Sequence, residues 1–320
     1  MPWFTVTMKY ILSIILFVCT LAVHAQYSNF NTQRNWSMNK KELLFGVGAT
    51  QFLGDLGGAS KTGKDYSLAD IDFPSTGLGA MVGFRYRFHP FWATTTSLHA
   101  GLLRGDDSQT KEIIRNTRNL HFRSPIIELN QRIELIVLAN EKVGHRYNIS
   151  GLKGFQDHNF QLYVFTGIGL AYYNPQARYN GSWTNLRPLK TEGQGLEGGP
   201  DEYLPITAVV PFGVGFRVGI SRMWRIGIEA TYIKTFSDYV DDVSGVYYDR
   251  NALATQVGPD AAYLSNPAIE NQHWFGAGEQ RGDKQKDAYF YANIVVTRNI
   301  TYRSYSRNKV QRWRGTRAKF

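Results

Sequence analysis

The sequence predicts an all-β chain: an eight-stranded antiparallel transmembrane β-barrel with long extracellular loops. Three observations carry the prediction. Apolar and polar residues alternate with period two over unusually long segments. The chain opens with an export signal but has no later apolar run long enough for a membrane helix. Short and long connections between the segments follow one another almost regularly.

The export signal comes first. Lys9 precedes an apolar run from Tyr10 to Leu21, and Val23 and Ala25 place small residues ahead of Gln26. That layout predicts cleavage after Ala25, and a lipoprotein signal at Cys19 is disfavoured by the bulky Phe17 and Val18 before it. Cleavage removes the only cysteine, so disulfides cannot staple the exported chain. The expected organisation is a signal peptide over 1–25 and a periplasmic segment over 26–41. A barrel follows over 42–302, and a basic periplasmic tail over 303–320.

Eight strands are expected, at roughly 42–54, 76–88, 91–105, 122–138, 159–173, 206–220, 223–237 and 286–302. In the second, Leu78, Ala80, Val82, Phe84, Tyr86 and Phe88 share one face, while Gly79, Met81, Gly83, Arg85 and Arg87 share the other. Most segments exceed the five or six residues of an ordinary soluble strand and suit a tilted crossing of a bilayer. A soluble β-sandwich also alternates, but strand length, aromatic strand ends and the export signal favour the barrel. Phe88, Phe91, Trp92, Tyr172, Tyr173, Trp224, Tyr232 and Phe236 stand at segment ends, as interfacial girdles require. Pro211 removes a ladder donor inside the sixth segment and predicts a local bulge. The connection near 139–158 is longer than its periplasmic side would lead one to expect.

The interior follows from the strand count. Eight strands enclose a space that side chains can fill, and Arg85, Arg87, Glu128, Arg132, Glu134, Arg217, Arg225 and Glu229 fall on the non-lipid face. Bulky charges of both signs in so narrow a space should pair, since an unpaired buried charge is costly. The expected result is a plug, not an open pore.

No chemistry-bearing motif stands out. "GVGFRVG" at 213–219 lies on a strand with no helix after it, so it cannot cradle a phosphate as a strand-turn-helix loop does. The histidines lack ligand spacing. His121, Ser124 and Glu128 suggest a hydrolase only by proximity in sequence, which is a weak signal. No catalytic residue, cofactor or small-molecule substrate is assigned. The stretch "TFSDYVDDVSGVYYD" (235–249) offers Asp238, Asp241, Asp242 and Asp249 as hard oxygen donors. Their spacing is not that of an EF-hand, so no metal is assigned. With Tyr239, Tyr247 and Tyr248 they are expected to form a loop folding over the barrel mouth, its carboxylates bonding backbone N–H groups in turns.

The net charge of +10 is concentrated at the end of the chain. Arg303, Arg307, Lys309, Arg312, Arg314, Arg317 and Lys319 occur there with no acidic residue among them. Nucleic acid is an improbable partner for an exported chain; an acidic protein surface or anionic lipid fits better.

"ELLFGVGATQFLGDLGG" (42–58), the loop "TFSDYVDDVSGVYYD", "RGDKQKDAYFYANIVVTRNI" (281–300) and a basic ending "RAKF" together resemble the PorG-type barrels of Bacteroidota. The similarity runs in the same order through most of the expected mature chain. It implies an outer-membrane barrel associated with type IX secretion, in contact with periplasmic ring proteins of the PorK and PorN kind. In gliding relatives the link would extend to the motility machinery. The loops at 174–205 and 250–285 are longer than a minimal member needs. The residues themselves leave open a paralogous barrel acting as a small selective channel or a surface-interaction protein.

Overall fold

A computed structural model describes residues 40–56, 75–110, 112–140, 160–220, 223–268, 272–283 and 285–300. The expected signal peptide, the tail from Arg303 to Lys319 and the 141–159 connection lie outside the described residues.

Eight long strands form the barrel wall: β1 (Lys41–Leu53), β2 (Gly77–Arg87), β3 (Trp92–Asp106), β4 (His121–Asn140), β5 (Phe160–Tyr173), β8 (Ile206–Gly219), β9 (Trp224–Thr235) and β10 (Ala288–Asn299). Two four-residue strands, β6 (Gln176–Tyr179) and β7 (Ser182–Asn185), form a hairpin in the β5–β8 connection. All pairings are antiparallel. The order runs β3-β2-β1-β10-β9-β8-β5-β4, and β3 pairs β4 to close the ring. The first and last strands meet in a twelve-pair seam from Glu42↔Asn299 to Leu53↔Ala288. Closure gives every wall strand two neighbours among the described residues, and β7 of the small hairpin is left as the sheet's edge.

The wall is inside out relative to a soluble protein. On β2, Leu78 is 79 % exposed while Arg85 and Arg87 are wholly buried. Val47, Ile168, Ile228 and Ile294 stand on the outside, and Arg85, Arg87, Arg132 and Arg217 rank among the largest fully buried side chains. Such an apolar exterior around a polar interior is stable where the exterior meets lipid. No helix among the described residues is long and apolar enough to cross a membrane; the strands are the elements with crossing length.

Two local expectations need correction. The ladder shows no register shift at Pro211: Thr166↔Phe212 and Gly169↔Val209 keep one register, and Pro211 still pairs with Ile233 of β9. The missing N–H only leaves the β5 side locally unpaired. The irregularity lies instead on β4, where the register steps between Ile136 and Leu138. Tyr173 does not join the aromatic girdle, because adjacent residues on a strand face opposite ways. Tyr172 points out, whereas Tyr173 is buried, and its hydroxyl donates to the Leu204 carbonyl at 2.8 Å.

The connections opposite the short β2–β3 and β8–β9 turns build a folded cap. It contains α1 (Ile113–Arg118), the β6–β7 hairpin, α2 (Arg250–Gln256) and α3 (Pro259–Ser265). An apolar cluster joins cap to mouth: Phe52, Leu103, Phe122 and Tyr289 from the wall meet Leu56, Tyr203, Val240 and Val243 from the loops.

Candidate functional site

The candidate site has two stacked parts, a charged plug in the lumen and a polar network in the cap above it. In the plug, each side chain reaches the axis because it occupies the inward position of a strand. Glu42 of β1 is the hub. It accepts from Arg85 Nη1 at 2.9 Å, from Arg217 Nη1 at 3.0 Å, and from Arg225. Arg85 Nε also donates to Glu134 at 2.5 Å. Arg132 grips Glu229 through two bonds of 2.9 Å, and Glu134 lies 3.4 Å from Arg132 Nε. The Tyr163 hydroxyl donates to Glu229 at 2.5 Å, while the Arg132 and Arg217 guanidiniums lie over the rings of Phe165 and Tyr163. Charge-assisted bonds of this kind offset the desolvation of buried ions only when geometry is good and partners are many.

Two of the predicted lumen charges have other settings. Arg87 Nη2 donates to the Pro90 carbonyl at 2.5 Å, at the β2–β3 turn. Glu128 accepts from the Tyr289 hydroxyl and from Asn130, and no ion pair to it occurs among the described residues. The sequence reading missed Glu42. It stands at the very start of β1, where the next inward residues, Leu44 and Gly46, carry no charge to mark the face.

The glycines of "GVGFRVG" have a packing reason. Gly213 and Gly215 on β8 face Phe165 and Tyr163 on β5. A β-carbon on either would fall within 2.3 Å of the opposing ring. The close approach needs glycine because the rings occupy that space.

The cap brings the loop motif against distant segments. Asp241 is buried and accepts from Leu56 N at 3.2 Å and Val243 N at 3.0 Å. Asp242, at φ 67°, accepts from Thr191 Oγ1 at 2.5 Å and the Tyr203 hydroxyl at 2.6 Å. Tyr239 stacks on Tyr203 at 4.5 Å, Tyr247 meets Phe275 edge-on, and Tyr248 donates to the Glu197 carbonyl. Asp249 accepts from Ala252 N at 2.7 Å and caps α2. Asp238 accepts from Ser244 Oγ at 2.6 Å.

Residues outside that motif tie the cap together. Arg281 Nη1 donates to Glu192 at 2.9 Å and to the Asp242 carbonyl at 2.6 Å. Arg118 donates to Asp107 at 2.7 Å, to the Arg281 carbonyl at 2.7 Å and to the Asp55 carbonyl at 2.8 Å. Glu192 also accepts from Ser244 N and Gly245 N. These partners are invisible to a periodicity argument, because they lie in irregular loops more than a hundred residues apart in places.

The four aspartates proposed as oxygen donors do not converge on one point; each is engaged as just described. The carboxylates that do approach one another are Asp55, Asp238 and Asp283, with oxygens within 4.8 Å. Burial, with the neighbouring charges of Asp283 and Asp238, pushes Asp55 up to about 8. Burial raises Asp238 to about 7 and Asp242 to about 6. It also raises Asp241 and Asp287 well above the usual carboxylate range. Protonation of Asp55 and Asp238 thus relieves their crowding beside Asp283.

The His121–Ser124–Glu128 grouping does not assemble. Ser124 and Glu128 are buried on the inward face of β4, whereas His121 faces the other way, accepts from Arg178 N at 2.9 Å and meets Trp183 edge-on. In the connection between β7 and β8, a cleft of about 280 Å³ is lined by Arg187, Pro188, Lys190, Gln194, Glu202 and Tyr203. Its charges are largely engaged, with Lys190 paired to Glu202 at 2.7 Å.

No family model matches the chain, and no curated protein matches it. Among solved structures, Ail of Yersinia pestis, in complex with the heparin analogue sucrose octasulfate, is 8 % identical with a TM-score of 0.32. That match covers 81 % of this chain and 97 % of Ail. Neisserial surface protein A is 6 % identical with a TM-score of 0.33, covering 81 % and 96 %. OprG from Pseudomonas aeruginosa, an outer membrane protein, is 10 % identical with a TM-score of 0.32, covering 81 % and 95 %. At such values nothing about ligands or activity transfers. The fold rests on the closed ladder itself.

Proposed function

We propose that the chain is a non-enzymatic outer-membrane barrel that anchors or docks a periplasmic protein-secretion complex of the type IX kind. The carrying observation is the occupied lumen. Glu42, Arg85, Arg132, Glu134, Arg217, Arg225 and Glu229 cross-link the interior from five strands, and a folded cap sits above them. A barrel with such an interior offers partners its ends and its outer wall, not a passage.

The apolar exterior supports placement in a bilayer. The signal at the start of the chain and the strand architecture support the outer membrane. The periplasmic contact falls on the basic tail, Arg303, Arg307, Lys309, Arg312, Arg314, Arg317 and Lys319, whose one-signed charge suits an acidic ring protein. By the sequence resemblance, the partners are PorK- and PorN-like ring proteins, with a further link to gliding motility where that exists.

The test is affinity purification from native outer membranes with the full chain and with a chain truncated after Tyr302. Loss of the ring lipoprotein on truncation is expected; undiminished co-purification sinks the role of the tail. Planar-bilayer recording addresses the plug, because steady ohmic conductance of the purified chain would favour a selective channel over an anchor.

A further inference from the structure

Three arginines gather at the outer rim of the barrel wall, on its lipid-facing side. Arg104 near the end of β3 and Arg123 near the start of β4 are direct cross-strand partners. Arg178 of β6 stands beside them through Trp183 of β7. The Arg123 guanidinium lies 4.1 Å from the Trp183 ring centroid and that of Arg178 lies 5.9 Å away. Arg104 and Arg178 are exposed, and Arg123 is half-buried.

Like charges placed directly opposite across two strands destabilise a sheet. Among the described residues, none of the three arginines is in an ion pair. Arg123 Nε donates to the neutral Gln176 at 2.9 Å. The nearest outward carboxylate on β3, Asp106, accepts from Ser108 N at 2.9 Å as the cap of a short helical turn. The Arg123 and Arg178 guanidiniums flank one indole, and Arg104 stands across the strand pair from Arg123, all on the outward face.

The height of the cluster identifies what faces it. On the same face of β4, Ile127, Leu129 and Ile133 are exposed apolar residues. Ile127 pairs with the outward aromatic Tyr172 of β5. Arg123 lies four residues beyond Ile127, or about 13 Å further along the strand. That places the guanidiniums just above the apolar belt, at the depth of lipid headgroups. Arginine's planar fork matches phosphate oxygens in pairs, and tryptophan favours the same interfacial depth.

We propose that Arg104, Arg123 and Arg178, with Trp183, form a binding site for the phosphate of an outer-leaflet lipid headgroup. The site rests on the reading of the chain as an outer-membrane barrel with its cap outward. Phosphate is the shared chemistry of lipid and free anion, and the lipid is the source because the cluster borders the apolar belt.

The experiment uses the full chain in nanodiscs, with phosphorylated lipid A and the same lipid stripped of phosphate as probes. Wild type should retain the phosphorylated lipid at least about tenfold more tightly, as several charge-assisted bonds would give. The Arg104→Gln, Arg123→Gln, Arg178→Gln triple variant should lose that preference. The corresponding triple Lys variant should keep a reduced preference, which separates lost charge from a damaged rim. Equal affinity of wild type for the two lipids overturns the site, as does an unchanged triple Gln variant. Competition by inorganic phosphate at the lipid's own concentration overturns the lipid as source. Membrane fractionation tests the underlying reading separately: a chain found outside the outer membrane overturns that reading, whatever affinity the nanodiscs return.

Discussion

The Cζ atom of Tyr163 on β5 lies 2.2 Å from the position that a β-carbon on Gly215 of β8 would occupy. The ring therefore fills the space a side chain on β8 would need, and its hydroxyl passes over Gly215 to reach Glu229 on β9. Gly215→Val should displace the ring and break that bond. Overpacking of this kind costs about 1–3 kcal/mol. Urea titration of the folded barrel, read by heat-modifiable mobility on gels, should show the loss. Tyr163→Phe retains the ring and should cost less, about 1 kcal/mol.

Glu42 collects three arginines from three strands. Glu42→Gln leaves those guanidiniums buried with their shared charge removed, and about 3–5 kcal/mol of destabilisation is expected from breaking a buried pair on one side. Equilibrium unfolding in detergent checks the magnitude. Single-channel recording should show brief openings in this variant that wild type lacks. A variant as stable as wild type would mean the hub is dispensable.

The cap should weaken as pH rises. A carboxyl whose folded pKa is raised holds its proton more tightly when folded. Its contribution is thus fully present below the unfolded value of 3.8 and is lost as pH climbs through the folded values, about 7 for Asp238 and about 8 for Asp55. Limited proteolysis of intact cells should cut the cap faster at pH 8 than at pH 5. Asp55→Asn should flatten that dependence, because the amide needs no proton to sit beside Asp283 and Asp238. Cutting rates independent of pH in wild type would contradict the assignment.

Asp249 ends an extended segment and begins α2 through its bond to Ala252 N. Asp249→Ala should cost about 1 kcal/mol, the ordinary value of an N-cap. Hydrogen exchange should show faster amides over 250–256, with the β-wall amides unchanged. Faster exchange in the wall as well would mean that cap and barrel unfold as one unit.

Much of the wall was legible in the sequence because a period-two pattern survives wherever one face meets lipid and the other meets charge. Each of the eight expected segments overlaps a wall strand within about three residues at either end. The inward arginines were legible for the same reason. Glu42 was not, since its strand face is otherwise Leu44 and Gly46. Tyr173 was misplaced because two adjacent aromatics look alike in sequence, although alternation lets only one face outward. The β6–β7 hairpin and the short helices α1, α2 and α3 have four to seven residues each. Elements that short are held by tertiary contacts and not by local propensity. The cap network was illegible for that reason too: Leu56 N meets Asp241 across 185 positions of chain, and no spacing rule connects them.

The seam between β1 and β10 has a consequence for assembly. Its partners come from the first and last strands in sequence, Glu42 beside Asn299, so the ring cannot close until the last strand has been delivered. Contacts of such long sequence separation form slowly. Glu42 belongs to the seam and takes its arginines from β2, β8 and β9, so a partly inserted chain holds a carboxylate without its full complement of cations. Pulse-labelled exchange during refolding should find β1 and β10 amides protected together with those of β9; early protection of β1 without β9 would refute the coupling. Closing the circle and neutralising its interior are then one event, and an incomplete intermediate carries an electrostatic penalty against lingering half-built.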